Sequence, residues 1–176
     1  MNDKGYDIAI IGGGVIGLTL ARALLKEKAR VVVYDAGAEI PPATPAAAGM
    51  LAPSFEHDAV SEALYEFGAE SLRLWPAFAE ELEEETGIDI DFRQDGVMGV
   101  ALNEADALSL AEQLAVLSAR GGDAKLLGGE DARRLEPALS REVGAALYAE
   151  SDAQVDPRRL TAALRTSIEM LSLIHI

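Results

Sequence analysis

Residues 12–17, GGGVIG, have the spacing of a turn that binds phosphate groups. In such a turn Gly12 allows a sharp change of direction, Gly14 lets a pyrophosphate approach the backbone, and Gly17 allows close packing of the next helix. The N-terminus of that helix adds free N–H groups and a partial positive charge. We therefore predict a dinucleotide-binding turn formed by Gly12, Gly14, Val15, Ile16 and Gly17.

The carboxylate of Asp35 completes this pattern. It follows the apolar run Val31–Tyr34, about 20 residues after the last glycine, where an acidic side chain accepts hydrogen bonds from ribose hydroxyls. The same carboxylate would repel a 2′-phosphate, and Ala36 beside it carries no charge to offset the repulsion. We expect Asp35 and Ala36 to bind an adenosine ribose, and this expectation disfavours NADP.

Two apolar runs and a helix must position these residues. Ile8–Ile11 enters the glycines as a buried parallel strand, and Val31–Tyr34 is a second, β-branched strand. Residues 15–28 have the spacing of a helix. Strand, helix and strand within about 30 residues predict a βαβ unit. The predicted apolar face of the helix consists of Ile16, Leu20, Ala23 and Leu24.

A long helix is predicted from about Val60 to Thr86, and Pro76 should kink or break it. Its predicted apolar stripe consists of Leu64, Phe67, Leu74, Trp75, Phe78 and Leu82. The glutamates between Glu80 and Glu85 are interpreted as a solvated helix face, so we predict no metal site.

The sequence changes in character near Gly87. Residues 88–102 hold two strand-like runs around Asp95-Gly96, which predicts a β-hairpin and the start of a second domain. The remaining predicted elements are helices at 104–120 and 129–135, a strand at 143–148, and a helix from Pro157 with Asp156 as its cap.

Composition limits the class of protein. The net charge of −15 at pH 7 disfavours nucleic acid and anionic membranes as partners. The absence of cysteine excludes disulfides and thiolate chemistry. There is no apolar run of about 18 residues and no apolar secretory core near the start, so we expect no membrane span and a cytoplasmic location.

The βαβ unit alone does not separate FAD from NAD, because both contain an adenosine ribose. Residues 46–49, AAAG, could present backbone N–H groups to a flavin ring with almost no side-chain bulk above them. Small residues would fit a short buried helix equally well. Composition leaves these two interpretations of the alanine loop open.

Several stretches resemble one family. YDIAIIGGGVIGLTLARALL, VVVYDAG and TPAAAGMLAP are together similar to the start of the D-amino-acid-oxidase-like family of FAD oxidoreductases. The AAAGMLA run is typical of its glycine-oxidase branch, which serves thiamine biosynthesis. FRQDGVMGVAL resembles the first hairpin of the substrate domain, and AQVDPRRLTAAL resembles the return of the chain to the FAD domain.

The resemblance implies FAD as the cofactor and assigns roles to the alanine loop. Ala47, Ala48 and Gly49 would contact the flavin through backbone, Met50 would line the substrate pocket, and Thr44 would lie near the phosphates or the ring. The sequence departs from the family at Asp35, where glutamate is common, and at Pro45, where serine is frequent.

The implied fold is α/β: a truncated FAD-binding, Rossmann-like domain of the glutathione-reductase type with the start of an α+β substrate domain. Residues 1–86 would form the first FAD-binding segment, 87–150 part of the substrate domain, and 151–170 the return helix. Residues 171–176, LSLIHI, resemble the translation of adapter DNA that sequencing can leave at the end of an assembled gene. We expect them to be non-native.

The implied reaction is oxidation of a small amino acid or amine by oxygen, giving an imine or oxo acid, ammonia and peroxide. The catalytic groups and the arginine that anchors the substrate carboxylate are expected beyond residue 176, so the chain alone should be inactive; a longer chain could form a homo-oligomer. Alternatives are a quinone-linked dehydrogenase of the same fold, a non-catalytic dinucleotide-binding module and an NAD-dependent dehydrogenase. The arginines of the chain are given ordinary surface interpretations: Arg22, Arg73, Arg93, Arg133, Arg134, Arg158 and Arg159.

Overall fold

The computed structural model describes residues 5–37, 43–55 and 62–172. The chain divides into two compact units. The first unit consists of Met1–Met50, Trp75–Phe92 and Val155–Ile176, and the second of Leu51–Leu74 and Arg93–Gln154. The domain boundaries expected from the sequence remain a prediction.

The first unit contains the predicted βαβ arrangement. Strand β1 (Ile8–Ile11) leads into helix α1 (Val15–Lys26), and strand β2 (Val31–Tyr34) pairs parallel to β1 with Ile8 opposite Val31. Helix α1 ends two residues earlier than expected. Helix α5 (Pro157–Leu171) packs against α1, and α1 packs against both strands, so α1 supports the sheet that carries the glycine turn.

The buried face of α1 differs from the predicted one. Ile16 is 83% exposed and Leu20 is 49% exposed, whereas Leu18 and Ala21 are buried together with Arg22. The helix is apolar on almost every side, so its sequence allows either face to pack. The contacts with α5 and the sheet select the face that includes positions 18, 21 and 22.

Helix α2 (Glu62–Thr86) runs through Pro76 without a break, so of the predicted kink or break the break is wrong and the kink stays a prediction. The predicted start near Val60 lies outside the described residues. Leu72, Ala79 and Leu82 are buried. We attribute the continuity to this burial on both sides of the proline, which outweighs the one lost backbone hydrogen bond. Of the predicted stripe, the exposed members are Leu64, Phe67 and Leu74.

The second unit contains an antiparallel sheet in the order β4-β6-β5. Its strands are β4 (Val97–Ala101), β5 (Ala124–Gly128) and β6 (Ala145–Ala149). Helix α3 (Glu104–Ala119) packs on the sheet, and Asn103 caps it by accepting a 2.9 Å hydrogen bond from the N–H of Asp106. The buried core of this unit consists of Ala101, Leu110, Leu117 and Leu147.

The predicted hairpin around Asp95-Gly96 is wrong. Among the described residues, 88–94 form no strand, apart from a single bridge between Arg93 and Gln154. Gly96, with φ of +82°, turns the chain into β4, which pairs with β6 instead. The partner of β4 lies about 50 residues away, so local turn residues could not identify it.

The remaining short elements complete the chain. Strand β3 (Met50–Leu51) and strand β7 (Ala153–Gln154) are neighbours in a small sheet, and they were not predicted, nor was β5. Helix α4 (Gly129–Leu135) has its predicted bounds. The start of α5 is also as predicted, because Asp156 accepts hydrogen bonds from the N–H groups of Arg158 and Arg159. No helix in the described part of the chain is long and apolar enough to cross a membrane.

Candidate dinucleotide-binding site

The glycine turn lies between the end of β1 and the start of α1. Gly12 has φ of +107°, a conformation that strains any residue with a side chain. Gly14 is the extended N-cap residue of α1. A Cβ atom at Gly17 would lie 1.9 Å from the carbonyl oxygen of Gly12. The turn and the first turn of α1 therefore approach each other more closely than any residue but glycine permits.

The carboxylate of Asp35 bridges the backbone of the glycine turn and that of the segment that follows β2. Its Oδ2 accepts a 2.5 Å hydrogen bond from the N–H of Gly13, and its Oδ1 accepts one of 2.8 Å from the N–H of Gly37. These bonds, led by that of Gly13 and helped by the charge of Arg165, lower the pKa of Asp35. Because this ionised carboxylate is exposed, it keeps lone pairs that can accept hydrogen bonds from the hydroxyls of a ribose.

The hydroxyl of Thr44 lies at the first turn of α1. Its Oγ1 accepts a 3.1 Å hydrogen bond from the N–H of Val15, and a Cβ at Gly14 would lie 3.2 Å from the same oxygen. The structure thus places Thr44 beside the predicted phosphate-binding residues. An oxygen acceptor fits this end of the helix, because its N–H groups have no partners within the helix.

The alanine loop is an exposed segment with one short 3₁₀ turn at Thr44–Ala46. Ala46, Ala47 and Ala48 are exposed, so they do not form a buried helix. Met50 is 63% exposed at the start of β3. The backbone of the loop is therefore accessible to a ligand. A flat ring could lie directly against it.

Gly49 fixes the end of the alanine loop. It has φ of +84°, and a Cβ there would lie 2.0 Å from the carbonyl oxygen of Val155. The N–H of Val155 donates a 3.0 Å hydrogen bond to the carbonyl oxygen of Gly49. The segment that begins α5 therefore holds this loop, a contact between residues more than 100 positions apart that no local motif could reveal.

Sequence reasoning missed three other groups at this site. The N–H groups of Gly13 and Gly37 both donate to Asp35, and Arg165 approaches the same carboxylate from α5. The central position of Gly13 in the glycine run was a usable signal for the first of these. Nothing in the sequence near Arg165 indicates that α5 reaches Asp35. Ile16 and Ala36, by contrast, are exposed at their predicted places.

The surface interpretation of Arg22 is wrong. Its side chain is 5% exposed, and its guanidinium donates hydrogen bonds to Glu85 at 2.6 Å and to Ser167 at 2.9 Å. Glu81, also close to Arg22, pairs with Lys26. Part of the glutamate run of α2 is therefore packed against α1 and α5 rather than solvated. No cluster of metal-binding side chains occurs in residues 5–37, 43–55 and 62–172.

Comparison with known proteins gives a consistent result. The family model described as FAD-dependent oxidoreductase matches residues 7–172. The chain is 38% identical to a glycine oxidase of Geobacillus kaustophilus over 90% of its own length and 42% of the relative's. It is 31% identical to a glycine oxidase of Bacillus subtilis over 96% of its length and 44% of the relative's.

The solved structures agree with the sequence relatives. The crystal structure of glycine oxidase from Geobacillus kaustophilus superposes with a TM-score of 0.87 at 36% identity. That superposition covers 94% of this chain and 45% of the other. The chain therefore spans less than half the length of these relatives.

Proposed function

Because the chain belongs to the FAD-dependent oxidoreductase family, we propose that it supplies the FAD-binding turn and flavin loop of an oxidase acting on a small amino acid or amine. The observation that carries the proposal is the bridging carboxylate of Asp35 beside the glycine turn that precedes α1. The 38% identity to a glycine oxidase supports the choice of substrate class.

Groups in the first unit would meet the pyrophosphate, the adenosine ribose and the flavin ring of FAD. The first turn of α1 and the glycine turn would bind the pyrophosphate through N–H groups. Asp35 would accept hydrogen bonds from the ribose hydroxyls. Ala47, Ala48 and Gly49 would meet the flavin through backbone, because their side chains leave the main chain accessible. Thr44, at the end of α1, would contribute its hydroxyl near the phosphates.

Bound FAD would supply the redox chemistry, the two-electron oxidation of the substrate amine at Cα with oxygen as the final acceptor and peroxide as its product. Water hydrolyses the resulting imine to an oxo acid and ammonia. The residues of this chain bind and orient the cofactor, with Met50 at the substrate side. We place the catalytic groups and the carboxylate anchor in a longer chain, so these 176 residues alone would be inactive.

A chimera tests the proposal. Residues 1–170 of this chain would replace the matched N-terminal part of the Geobacillus kaustophilus glycine oxidase, with the parent enzyme as control. We expect a yellow protein whose flavin absorbance bleaches when glycine is added without oxygen, and which forms peroxide in air. The 176-residue chain assayed alone should form none.

Other outcomes separate the alternatives. Bleaching by D-alanine, proline or sarcosine but not by glycine would keep FAD chemistry and contradict the substrate. Turnover that needs a quinone and ignores oxygen would point to a dehydrogenase. A folded, colourless chimera that binds NADH would contradict the proposal as a whole.

A further inference from the structure

A buried pair of polar side chains lies shortly after Met50 along the chain. Ser54 is 7% exposed in a 3₁₀ turn at Pro53–Phe55, and Asp152, the residue directly before β7, is fully buried. The Oγ of Ser54 donates a 2.9 Å hydrogen bond to Oδ1 of Asp152. A carboxylate is costly to bury, because its charged form loses the hydration of water. Asp152 therefore has to be matched by fixed polar partners, and Ser54 is one of them.

The backbone around Asp152 is held independently of Ser54. The N–H of Gly96 donates a 3.1 Å hydrogen bond to the carbonyl oxygen of Asp152. Two residues further on, Gln154 and Arg93 exchange two backbone hydrogen bonds of 2.9 Å each. Asp152 is thus a fixed point of the second unit, and the turn that contains Ser54 is fastened to it.

The turn has a second, apolar attachment through Phe55. A Cβ atom at Gly99 of β4 would lie 2.7 Å from Cε1 of Phe55, so the ring lies directly against the backbone of that strand. Phe55 also packs against the buried core that includes Leu110. The N–H of Phe55 closes the turn by donating a 3.1 Å hydrogen bond to the carbonyl oxygen of Ala52. The apolar contact fixes the depth of the turn, and the hydrogen bond of Ser54 adds a fixed direction.

Strand β3, Met50–Leu51, lies along the chain between two such attachments. Before it, the carbonyl oxygen of Gly49 accepts the 3.0 Å hydrogen bond from Val155. After it comes the bond from Ser54 to Asp152. A pair of strands two residues long is marginal by itself, so these attachments decide how firmly the exposed side chain of Met50 is presented beside the accessible alanine loop.

We propose that Ser54 and Asp152 are positioning residues for substrate binding. Their hydrogen bond holds residues 51–55, and through them Met50, in the arrangement that meets the amine substrate. The inference rests on the proposed function and adds to it two residues that touch neither FAD nor substrate. Loss of the bond should weaken the binding of substrate and leave the binding of FAD by the glycine turn and Asp35 unchanged.

Steady-state kinetics of the chimera with residues 1–170 of this chain test the inference with glycine as substrate. In Ser54→Ala the KM for glycine should rise at least about fivefold while kcat stays within about twofold, because the lost contact affects binding rather than the reaction. Ser54→Thr keeps a hydroxyl and should restore most of the KM. Asp152→Asn keeps an oxygen that accepts a weaker hydrogen bond, so its KM should lie between those of Ser54→Ala and the unmodified chimera.

The matched control for a general loss of stability is Val143→Ala. It shortens another buried side chain of the second unit, where Val143 is 3% exposed. The change should lower the melting temperature, because it leaves a small cavity. The KM for glycine should stay that of the unmodified chimera.

Hydrogen exchange of the 176-residue chain without FAD tests the same bond without any reaction. In Ser54→Ala the amides of residues 51–55 should exchange about tenfold faster, because the segment opens locally more often. The amides of β6 should exchange as in the unmodified chain. This measurement also covers the case in which Asp152→Asn does not fold.

Three results would overturn the inference. The first is an unchanged KM in Ser54→Ala, the second is unchanged exchange of residues 51–55 in that variant, and the third is an equal rise of KM in Val143→Ala. A chimera that binds no FAD or oxidises no amine would contradict the proposed function instead. Faster exchange in Ser54→Ala would then still support the holding role of the pair, and unchanged exchange would overturn it.

Discussion

The two units of this chain have interiors of different chemistry. In the first unit α1, α2 and α5 meet at a buried arginine, Arg22, which is hydrogen-bonded to Glu85 and Ser167. In the second unit α3 and the sheet meet through apolar side chains, among them Leu117 and Leu147, both fully buried. The stability of a buried charged network depends on the presence of every partner, because a single lost partner leaves a buried charge unpaired. The stability of an apolar core depends on how completely its side chains fill the available volume.

The two sheets differ as well. The antiparallel sheet of the second unit is well covered along its central strand, where Ala146, Leu147 and Ala149 are fully buried. The parallel pair of the first unit keeps Ile11 at 90% exposure. The unit that carries the candidate cofactor site thus exposes a large apolar side chain of its sheet, and its stability should respond to ligand and to charge.

The largest effect is expected from Arg22→Leu. It leaves Glu85 without its cation, and breaking a buried pair costs about 3–5 kcal/mol of unfolding free energy. Trp75 is the only tryptophan of the chain and lies in the first unit, so urea unfolding followed by its fluorescence measures this change. Arg30→Leu removes an exposed pair with Asp7 in the same unit and should change the free energy far less, because exposed ion pairs contribute little. Equal effects of the two variants would contradict the charged-interior description.

Leu147→Ala tests the apolar interior. It removes a fully buried side chain from the centre of the second unit's sheet, and the cavity should cost about 2–5 kcal/mol. Far-UV circular dichroism in urea measures the loss. Leu126→Ala, on the neighbouring strand at 42% exposure, serves as the control and should cost much less. A small effect at Leu147 would show that this core is loosely packed.

Gly17→Ala tests the close approach in the glycine turn. The added Cβ would lie 1.9 Å from the Gly12 carbonyl oxygen, so the turn must move away from α1. We expect FAD affinity to fall by about tenfold or more, which corresponds to about 1.4 kcal/mol, measured by calorimetric titration. Gly144→Ala is the control, because a Cβ there meets nothing within 4 Å. If Gly17→Ala left the affinity for FAD unchanged, the assignment of the glycine turn to the FAD site would be contradicted.

The smallest expected effect is the pH response of Asp35. Hydrogen bonds from Gly13 and Gly37 lower its pKa, so the ionised form persists below the ordinary carboxyl pKa of about 3.9. Its contribution to folding and to ribose binding is therefore present above that value and lost only as pH falls further. The titration of Asp35 should therefore cause no change in FAD affinity between about pH 5 and 8.

Asp35→Asn provides the comparison for that pH response. It should weaken FAD binding several-fold, since a neutral amide accepts a weaker hydrogen bond than a carboxylate. It should also abolish the fall in FAD affinity that the unmodified chain shows below about pH 4. An affinity that titrates near pH 6 in the unmodified chain would contradict the assignment of a lowered pKa.

The sequence predicts features that short stretches determine by themselves. The glycine spacing identified the turn, and Asp156 with Pro157 identified the start of α5, because both depend on backbone chemistry within a few residues. The buried face of α1 was not predictable, since its sequence is apolar on nearly every side. Nor was the pairing of β4, because its partner β6 lies far along the chain.

The candidate site divides in the same way. Its glycines and its acid were predictable from spacing. Thr44 was predicted to lie near the phosphates or the ring, but its hydrogen bond with the N–H of Val15 was not predicted. The hydrogen bond between Gly49 and Val155 was not predicted either. Both contacts join segments that only the folded chain brings together, and in one of them the partner is the residue before the N-cap of α5.

The central claim is that the first unit binds FAD through its adenosine half. The most direct measurement is calorimetric titration of the 176-residue chain with FAD, ADP and FMN in parallel. The account predicts that FAD and ADP bind and that FMN binds at least about tenfold more weakly, because the glycine turn and Asp35 recognise pyrophosphate and adenosine ribose. Binding of FMN as tight as that of FAD, or no binding of FAD and ADP, would contradict it.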